Sequence, residues 1–383
     1  MAMKKRIALL GSTGSIGRQV LKCVERYPDR FEIVSLSANK NVDLVLEQAE
    51  KFRPEIVAVS DAESAMKIKA LPANCQLYYG ENAALHAVCE SADLVFVAIM
   101  GFAGLKCVLA AIETGKDVAI ANKETLVAGG EIVMRRAKEK GVNIYPVDSE
   151  HSAIWQSLAF DKNRPFKRIV ITASGGAFRD VPIEDLPLKK AADALKHPNW
   201  NMGAKITVDC ATMVNKGLEV IEAHWLFDAP YEKIDVLMHP ESIVHSLVEY
   251  EDGAIINQMG YPSMELPIML AMSFPDRLAG APTLDLIGKT LHFSALDERR
   301  YPCFPLVMKS AAEGDNYPCA LSAANEEIVS LFLKDKIAFT DIYGYLSHVL
   351  DSVERLPVTY DNLVLTDRKA REYVLKKFNS ENN

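Results

Sequence analysis

The sequence predicts an α/β chain in three parts. A doubly wound parallel sheet comes first, an α+β region with a mostly antiparallel sheet follows, and the end is helical. Three observations predict this. Short apolar runs alternate with helix-period runs from residue 4 to residue 147, the pattern of a parallel sheet with crossover helices. Between residues 168 and 259 the strands crowd together, and one pair is joined at Asp252-Gly253, a hairpin signal. After residue 305 only helical periodicity remains. The boundaries read this way are 1–149, 150–274, a proline-punctuated connector 275–304, and 305–383.

Composition bounds the function. The chain has 383 residues, 49% hydrophobic and 25% charged, enough for two or three cored domains. A net charge of −8 argues against general affinity for nucleic acid or acidic membrane. The seven cysteines are scattered without a C-x-x-C pair, which fits neither a zinc knuckle nor a disulfide framework. A reducing, cytoplasmic setting is the simple expectation. Met1-Ala2 reads as a leader ahead of Met3, and Ile7-Ala8-Leu9-Leu10 is too short for a signal peptide's apolar region. No stretch is long enough to span a bilayer.

Residues 4–10 read as a buried strand. Gly11-Ser12-Thr13-Gly14-Ser15-Ile16-Gly17 follows, then an amphipathic run to about Tyr27. Strand, glycine turn and helix stand in the order of a Rossmann-like dinucleotide site, where glycines let the backbone approach pyrophosphate and the helix start supplies amide donors. The spacing is G-x-x-G-x-x-G, and Thr13, Gly14, Ser15 and Ile16 are the candidate cofactor contacts. The second strand, 32–37, ends in Ala38-Asn39-Lys40-Asn41 without the acidic residue that holds an NAD ribose. Asn39, Lys40 and Asn41 suit a 2′-phosphate, so NADPH is expected. The plain alternative is that Lys40 is a solvated helix-start residue.

Further strands are expected at 55–59, 94–99 and 117–121, with helices at 42–52, 61–70, 81–90, 103–114 and 123–140. The run ending at Met100-Gly101 lies where a nicotinamide end would come. Strand 117–121 delivers Asn122-Lys123-Glu124 to the carboxyl end of the sheet, where open α/β sheets bind ligands. That makes Lys123 a catalytic candidate, although most such lysines are surface residues. Asp148 and Glu150 follow the strand-like run 142–147. In an extended chain they would share a face, and two adjacent carboxylates call for a cation or a shared proton. A hard divalent metal is the natural cation. The alternative is a solvated acidic turn with Ser149 as helix cap.

Next come a helix from His151 to Leu158, a strand at 168–173, and Ser174-Gly175-Gly176, which suits either a phosphate or a chain reversal. The loop His197-Pro198-Asn199-Trp200-Asn201-Met202-Gly203-Ala204-Lys205 reads as a lid closed by Trp200, or as a loop pinned by it. Residues 211–227 read as a single helix. In it Asn215 and Glu219 share a face, Glu222 follows one turn on, and Glu219 is a candidate third carboxylate. Gly217 inside that helix costs up to about 1 kcal/mol against alanine, which points to a close approach. Strands are expected at 234–238, 243–250 and 254–259, and helices at 264–273, 305–314, 318–334, 339–350 and 366–378, with a frayed tail at 379–383. There are no internal repeats.

With these segments in hand, the chain resembles the 1-deoxy-D-xylulose 5-phosphate reductoisomerases of non-mevalonate isoprenoid biosynthesis. The stretches that carry the resemblance are Gly11–Gly17, Ala121-Asn122-Lys123-Glu124, Pro146-Val147-Asp148-Ser149-Glu150-His151, Ser174-Gly175-Gly176, His197–Gly203 and Asn215-Lys216-Gly217-Leu218-Glu219, in family order. The resemblance implies an NADPH domain, a central catalytic domain and a helical domain, in a homodimer built through the central sheet. It implies that Asp148, Glu150 and Glu219 hold Mg²⁺, Mn²⁺ or Co²⁺, with Lys123 beside them. Ser149 would contact the substrate's hydroxyls, and Ser174, His197, Asn215 and Lys216 its phosphate. Trp200 and Met202 would sit on the lid and Met264 against the nicotinamide, with Asn122, Glu124 and Gly203 as further cofactor contacts. His151 and His245 match family positions near the site. The implied reaction rearranges 1-deoxy-D-xylulose 5-phosphate to a branched aldehyde, which NADPH reduces to 2-C-methyl-D-erythritol 4-phosphate. One residue departs from the pattern. Cys210 stands where the family commonly has a phosphate-binding serine, and a thiol is the weaker donor. Two rivals follow from the residues: a metal-independent NADPH reductase, and a dinucleotide sensor without turnover.

Overall fold

The computed structural model describes residues 3–196, 199–200 and 202–382. The chain forms two compact units. The first comprises Met1–Thr125, Val133–Ser149 and Met264–Ala281, and the second Leu126–Ile132, Glu150–Ser263 and Pro282–Asn383.

The first unit is built on a parallel sheet of β1 (Lys5–Leu10), β2 (Phe31–Ala38), β3 (Ile56–Val59), β4 (Gln76–Tyr79), β5 (Leu94–Val97), β6 (Asp117–Ile120) and β7 (Ile144–Pro146). The order is β4-β3-β2-β1-β5-β6-β7. Ile7, Ala8, Leu9 and Leu10 are fully buried, as a central parallel strand covered on both faces must be. Strand order reverses between β1 and β5, the place where ligands of such sheets bind. Strand β4 was not expected. It is a partly exposed edge strand and lacks an apolar run. Reaching it uses up chain, so the helices expected at 61–70 and 81–90 shrink to Ala62–Ala65 and Ala83–His86.

The helix Glu265–Ser273 falls in the central region by sequence. Its Ile268, Met269, Ala271 and Met272 instead complete the core around Val20, Leu21 and Val24 of the first unit. Glu265 pairs there with Arg26.

The second unit holds β8 (Arg168–Ala173), β9 (Ile234–Met238), β10 (Val244–Glu249), β11 (Ile255–Met259) and β12 (Ser294–Ala295), ordered β11-β10-β8-β9-β12. The sheet is mixed: β8 and β9 run parallel and the other pairs antiparallel. The hairpin turn falls at Gly253, with φ of +85°. The two-residue β12 comes from the segment read as an irregular connector.

Helices Ala204–Thr212, Val214–Phe227, Cys303–Glu313, Tyr317–Leu333, Asp341–Ser352 and Tyr360–Asn382 belong to the same unit. Val208, Ala211, Leu218 and Ile221 share a core with Val307, Ala320, Ile328, Leu346 and Val374. Two expectations change here. The single helix 211–227 is broken at Met213, which has φ of +62°. The turns before the break, rich in Ile, Thr and Val, are helical although β-branched residues weaken that signal. The last helix runs through 382, where Glu381 bonds Lys377 at 2.7 Å and the Tyr345 hydroxyl at 2.5 Å, so the expected frayed tail is helical.

Gly217 has the close approach its cost implied. A Cβ there would lie 2.6 Å from Cβ of Val307. Gly217→Ala should destabilise the protein by about 1–3 kcal/mol, measured by denaturant unfolding, and adding Val307→Ala should recover much of the loss. No loss in the single variant would show that the helices separate easily.

Candidate functional site

The glycine turn lies in the first unit. Gly11 has φ of +87°, and a Cβ there would lie 2.6 Å from the Ala98 carbonyl oxygen at the end of β5. A Cβ on Gly17 would strike the Gly11 carbonyl. These two glycines let turn, strand and helix close together. Gly14 is the N-cap of helix Ser15–Arg26 and no side chain caps it, which leaves the helix start suited to an anion. Thr13 and Ile16 are half-buried, and Gly14 and Ser15 are exposed. Buried Gln48 braces the turn, accepting from the Ser12 hydroxyl at 2.7 Å and donating to the Ser12 carbonyl at 3.1 Å. Nothing in the sequence singled Gln48 out. Asn39, Lys40 and Asn41 are exposed after β2, and Asn41 also caps the next helix through Leu44 N–H at 3.2 Å.

Asn122 is buried and structural in its contacts. Its Oδ1 accepts from Thr125 N–H at 3.0 Å, and its Nδ2 donates to the Gly101 carbonyl at 2.8 Å. It fixes the start of helix Lys123–Lys140 against the segment after β5. Lys123, only 8% exposed, opens that helix, and its Nζ lies 2.6 Å from Asp148 Oδ2. Glu124 is half-buried in the same turn. Met264 packs on the core of this unit.

Asp148 and Glu150 do not alternate along a strand. Strand β7 ends at Pro146 and a helix begins at Ser149. The two carboxylates therefore leave a strand-to-helix junction, with Glu150 in the first helical turn.

In the second unit, Glu150 and Glu219 share one ammonium. Lys216 Nζ donates to Glu150 Oε1 at 2.7 Å and also to Glu219 Oε2. Asn215 Nδ2 donates to Glu219 Oε1. Carboxylate oxygens of Glu150 and Glu219 lie within 4.8 Å of each other. Lys216 is 4% and Glu219 1% exposed. Burial pulls the Lys216 ammonium down, but Glu150 and Glu219 outweigh it and hold the group above the ordinary lysine range. Two carboxylates against one ammonium leave one negative charge. An oxygen-rich, net-negative cluster that already accommodates a cation fits a hard divalent metal. His151, fully buried, sets its Nε2 2.8 Å from the Glu219 carbonyl and its Nδ1 3.4 Å from Glu222.

A second surface lies around Ser174. Gly175 and Gly176 have φ of +84° and +68°, and a Cβ on Gly176 would lie 2.6 Å from the backbone of Cys210 and Ala211. The turn is thus pressed on helix Ala204–Thr212. Arg179 holds it, donating to the carbonyls of Ser174 at 3.0 Å and Pro240 at 3.2 Å. Asn199 Nδ2 donates to the Pro240 carbonyl at 2.6 Å and Ser242 Oγ at 2.8 Å, and the Trp200 and His245 rings lie 6.1 Å apart. Gly203 caps helix Ala204–Thr212, and a Cβ there would meet nothing. His197 lies outside the described residues. Arg179 and Ser242 join this surface through Pro240 and Asn199, distant in sequence, so no local pattern marked those two, whereas Asn199 falls in the loop read as a lid.

Comparison with known proteins agrees with this geometry. Profiles described as 1-deoxy-D-xylulose 5-phosphate reductoisomerase match residues 7–130, its C-terminal domain residues 144–227, and a DXP reductoisomerase C-terminal domain residues 259–373. Proteins of that name from Gloeobacter violaceus and Prosthecochloris aestuarii are each 48% identical, over 97% and 96% of this chain and 96% and 98% of theirs. A solved DOX-P reductoisomerase in complex with NADPH, fosmidomycin and magnesium superposes with a TM-score of 0.92 at 36% identity, covering 98% of both chains. The Zymomonas mobilis enzyme in complex with NADPH gives 0.92 at 37%, covering 98% of this chain and 99% of that one. The chain belongs to the 1-deoxy-D-xylulose 5-phosphate reductoisomerase family.

Proposed function

We infer that this chain converts 1-deoxy-D-xylulose 5-phosphate to 2-C-methyl-D-erythritol 4-phosphate, using NADPH and a divalent cation. The observation that carries the reading is the buried Lys216 shared by Glu150 and Glu219, in a chain matched nearly end to end by this family. Asp148, Glu150 and Glu219 hold the cation, which is Mg²⁺, Mn²⁺ or Co²⁺. When bound, the cation supplies Lewis-acid polarisation of substrate oxygens, and NADPH supplies hydride.

The chain's own residues bind and orient. Thr13, Gly14, Ser15 and Ile16 cradle the pyrophosphate, and Asn39, Lys40 and Asn41 receive the 2′-phosphate. Asn122, Glu124, Gly203 and Met264 complete the cofactor contacts. Lys123 brings positive charge to the reacting oxygens, and Ser149 holds substrate hydroxyls. Ser174, His197, Asn215 and Lys216 take the phosphate. Trp200 and Met202 cover the substrate and exclude water.

In the division of labour we propose, residues 1–149 bind NADPH and residues 150–274 carry catalysis and dimerisation. Residues 275–304 connect to the helical 305–383. The homodimer forms through the central sheet, which is supported by edge strand β11 with Ile255 53% and Ile256 47% exposed. The enzyme works in the cytoplasm. The seven scattered cysteines, with no C-x-x-C pair, support this, and no helix among the described residues is long and apolar enough to cross a membrane.

NADPH oxidation with 1-deoxy-D-xylulose 5-phosphate tests the reading. Turnover should require Mn²⁺ or Mg²⁺, vanish in EDTA and favour NADPH over NADH. Oxidation that ignores EDTA would make the chain a different reductase. No oxidation with any metal, in protein that binds NADPH, would make it a sensor. We also propose that the Cys210 thiol holds phosphate less well than the family serine. Cys210→Ser should lower the substrate KM by roughly the factor of 2–10 that one modest hydrogen bond represents. An unchanged KM would refute the idea.

A further inference from the structure

One buried carboxylate is not used by the function proposed above. Asp209, 1% exposed, lies in helix Ala204–Thr212 immediately before Cys210. Its Oδ2 takes Lys205 Nζ at 2.9 Å, one helical turn back. Its Oδ1 takes the amide of Asn325 at 2.8 Å, across 116 residues of sequence. Asn325 is fully buried in helix Tyr317–Leu333. A third helix also faces this carboxylate: burial first, and then the Asp209 charge, push the Cys303 thiol up to about 12. The helical end of the chain thus reaches the helix carrying Cys210 through a charge that needs its partners.

That helix has little room to shift alone. Gly176 already lies so close to the Cys210–Ala211 backbone that a methyl group would not fit. Any displacement of helix Ala204–Thr212 must therefore move the Ser174-Gly175-Gly176 turn as well. We propose that Asn325 is a positioning residue: through Asp209 it fixes the Cys210 helix against the Ser174 turn and so sets the affinity for the substrate's phosphate group. This rests on the assignment of that surface to phosphate.

Asn316 provides the contrast. It is equally buried at the start of the same helix, but its amide bonds the Glu354 carbonyl at 3.0 Å, Thr366 Oγ1 at 2.9 Å and Leu356 N–H at 2.9 Å, all within the helical end. Losing it should cost stability alone.

The experiment uses the full chain as wild type, Asn325→Ala, the milder Asn325→Ser and Asn316→Ala. Thermal midpoint, Kd for inorganic phosphate by calorimetry, Kd for NADPH by fluorescence, and substrate KM and kcat are measured for each. Asn325→Ala should raise the phosphate Kd and substrate KM together, by roughly three- to thirtyfold, with NADPH affinity unchanged. Asn325→Ser should fall between, and Asn316→Ala should lower only the thermal midpoint. If Asn325→Ala merely lowers the midpoint, as Asn316→Ala does, the inference is overturned. If wild type binds phosphate without turning over the substrate, the proposed function fails and the phosphate constants still decide Asn325. If wild type turns over the substrate but does not bind phosphate, the inference is overturned and the proposed function stands.

Discussion

The buried ammonium of Lys216, held between Glu150 and Glu219, is the constraint on which the second unit depends. Taking one such charge out of water costs several kcal/mol even after relaxation, and removing one member of a buried pair typically costs 3–5 kcal/mol. The groups are tolerable only together and only in tight geometry. Helix Val214–Phe227 provides that geometry. It starts from the left-handed Met213, packs on Val307 at Gly217, and sets Asn215 one turn before Glu219. His151 ties the carbonyl of Glu219 to the helix that begins with Ser149 and Glu150. A site on two packed helices keeps its spacing better than one on loops.

The first unit follows a different logic. Its work is done by backbone: glycines that admit a close approach, a helix start left without a side-chain cap, and Gln48 bracing the turn from below. A charged pair, Lys123–Asp148, lies at the carboxyl end of the sheet. The chain passes from this unit to the other between Ser149 and Glu150.

Much of this was legible in the sequence because its causes are local. A buried parallel strand is largely apolar, so β1, β2 and β5 could be read directly. Asp252-Gly253 carries its own turn geometry, and Gly217 advertised a contact by its cost in a helix. The misreadings have physical reasons too. Strand β4 lies at an edge and needs no apolar run. Helix Ala204–Thr212 is held by tertiary packing despite weak propensity, and the break at Met213 is a single backbone angle that no side chain announces. Asp148 and Glu150 were singled out on a wrong premise, since a strand-to-helix junction rather than a strand sets them. Two partners that matter, Pro240 for Arg179 and Asn325 for Asp209, are joined by folding across sequence distance.

The central proposal is that Asp148, Glu150 and Glu219 hold a cation and are not merely ion-pair partners. The most direct measurement is a Mn²⁺ titration followed by electron paramagnetic resonance, on wild type and Glu219→Gln, with NADPH affinity measured in the same samples. Wild type should bind Mn²⁺, and Glu219→Gln should weaken that binding by at least about tenfold while leaving NADPH affinity unchanged. Unaltered Mn²⁺ binding in the variant, or an equal loss of both ligands, would contradict the claim and leave Glu219 a structural residue.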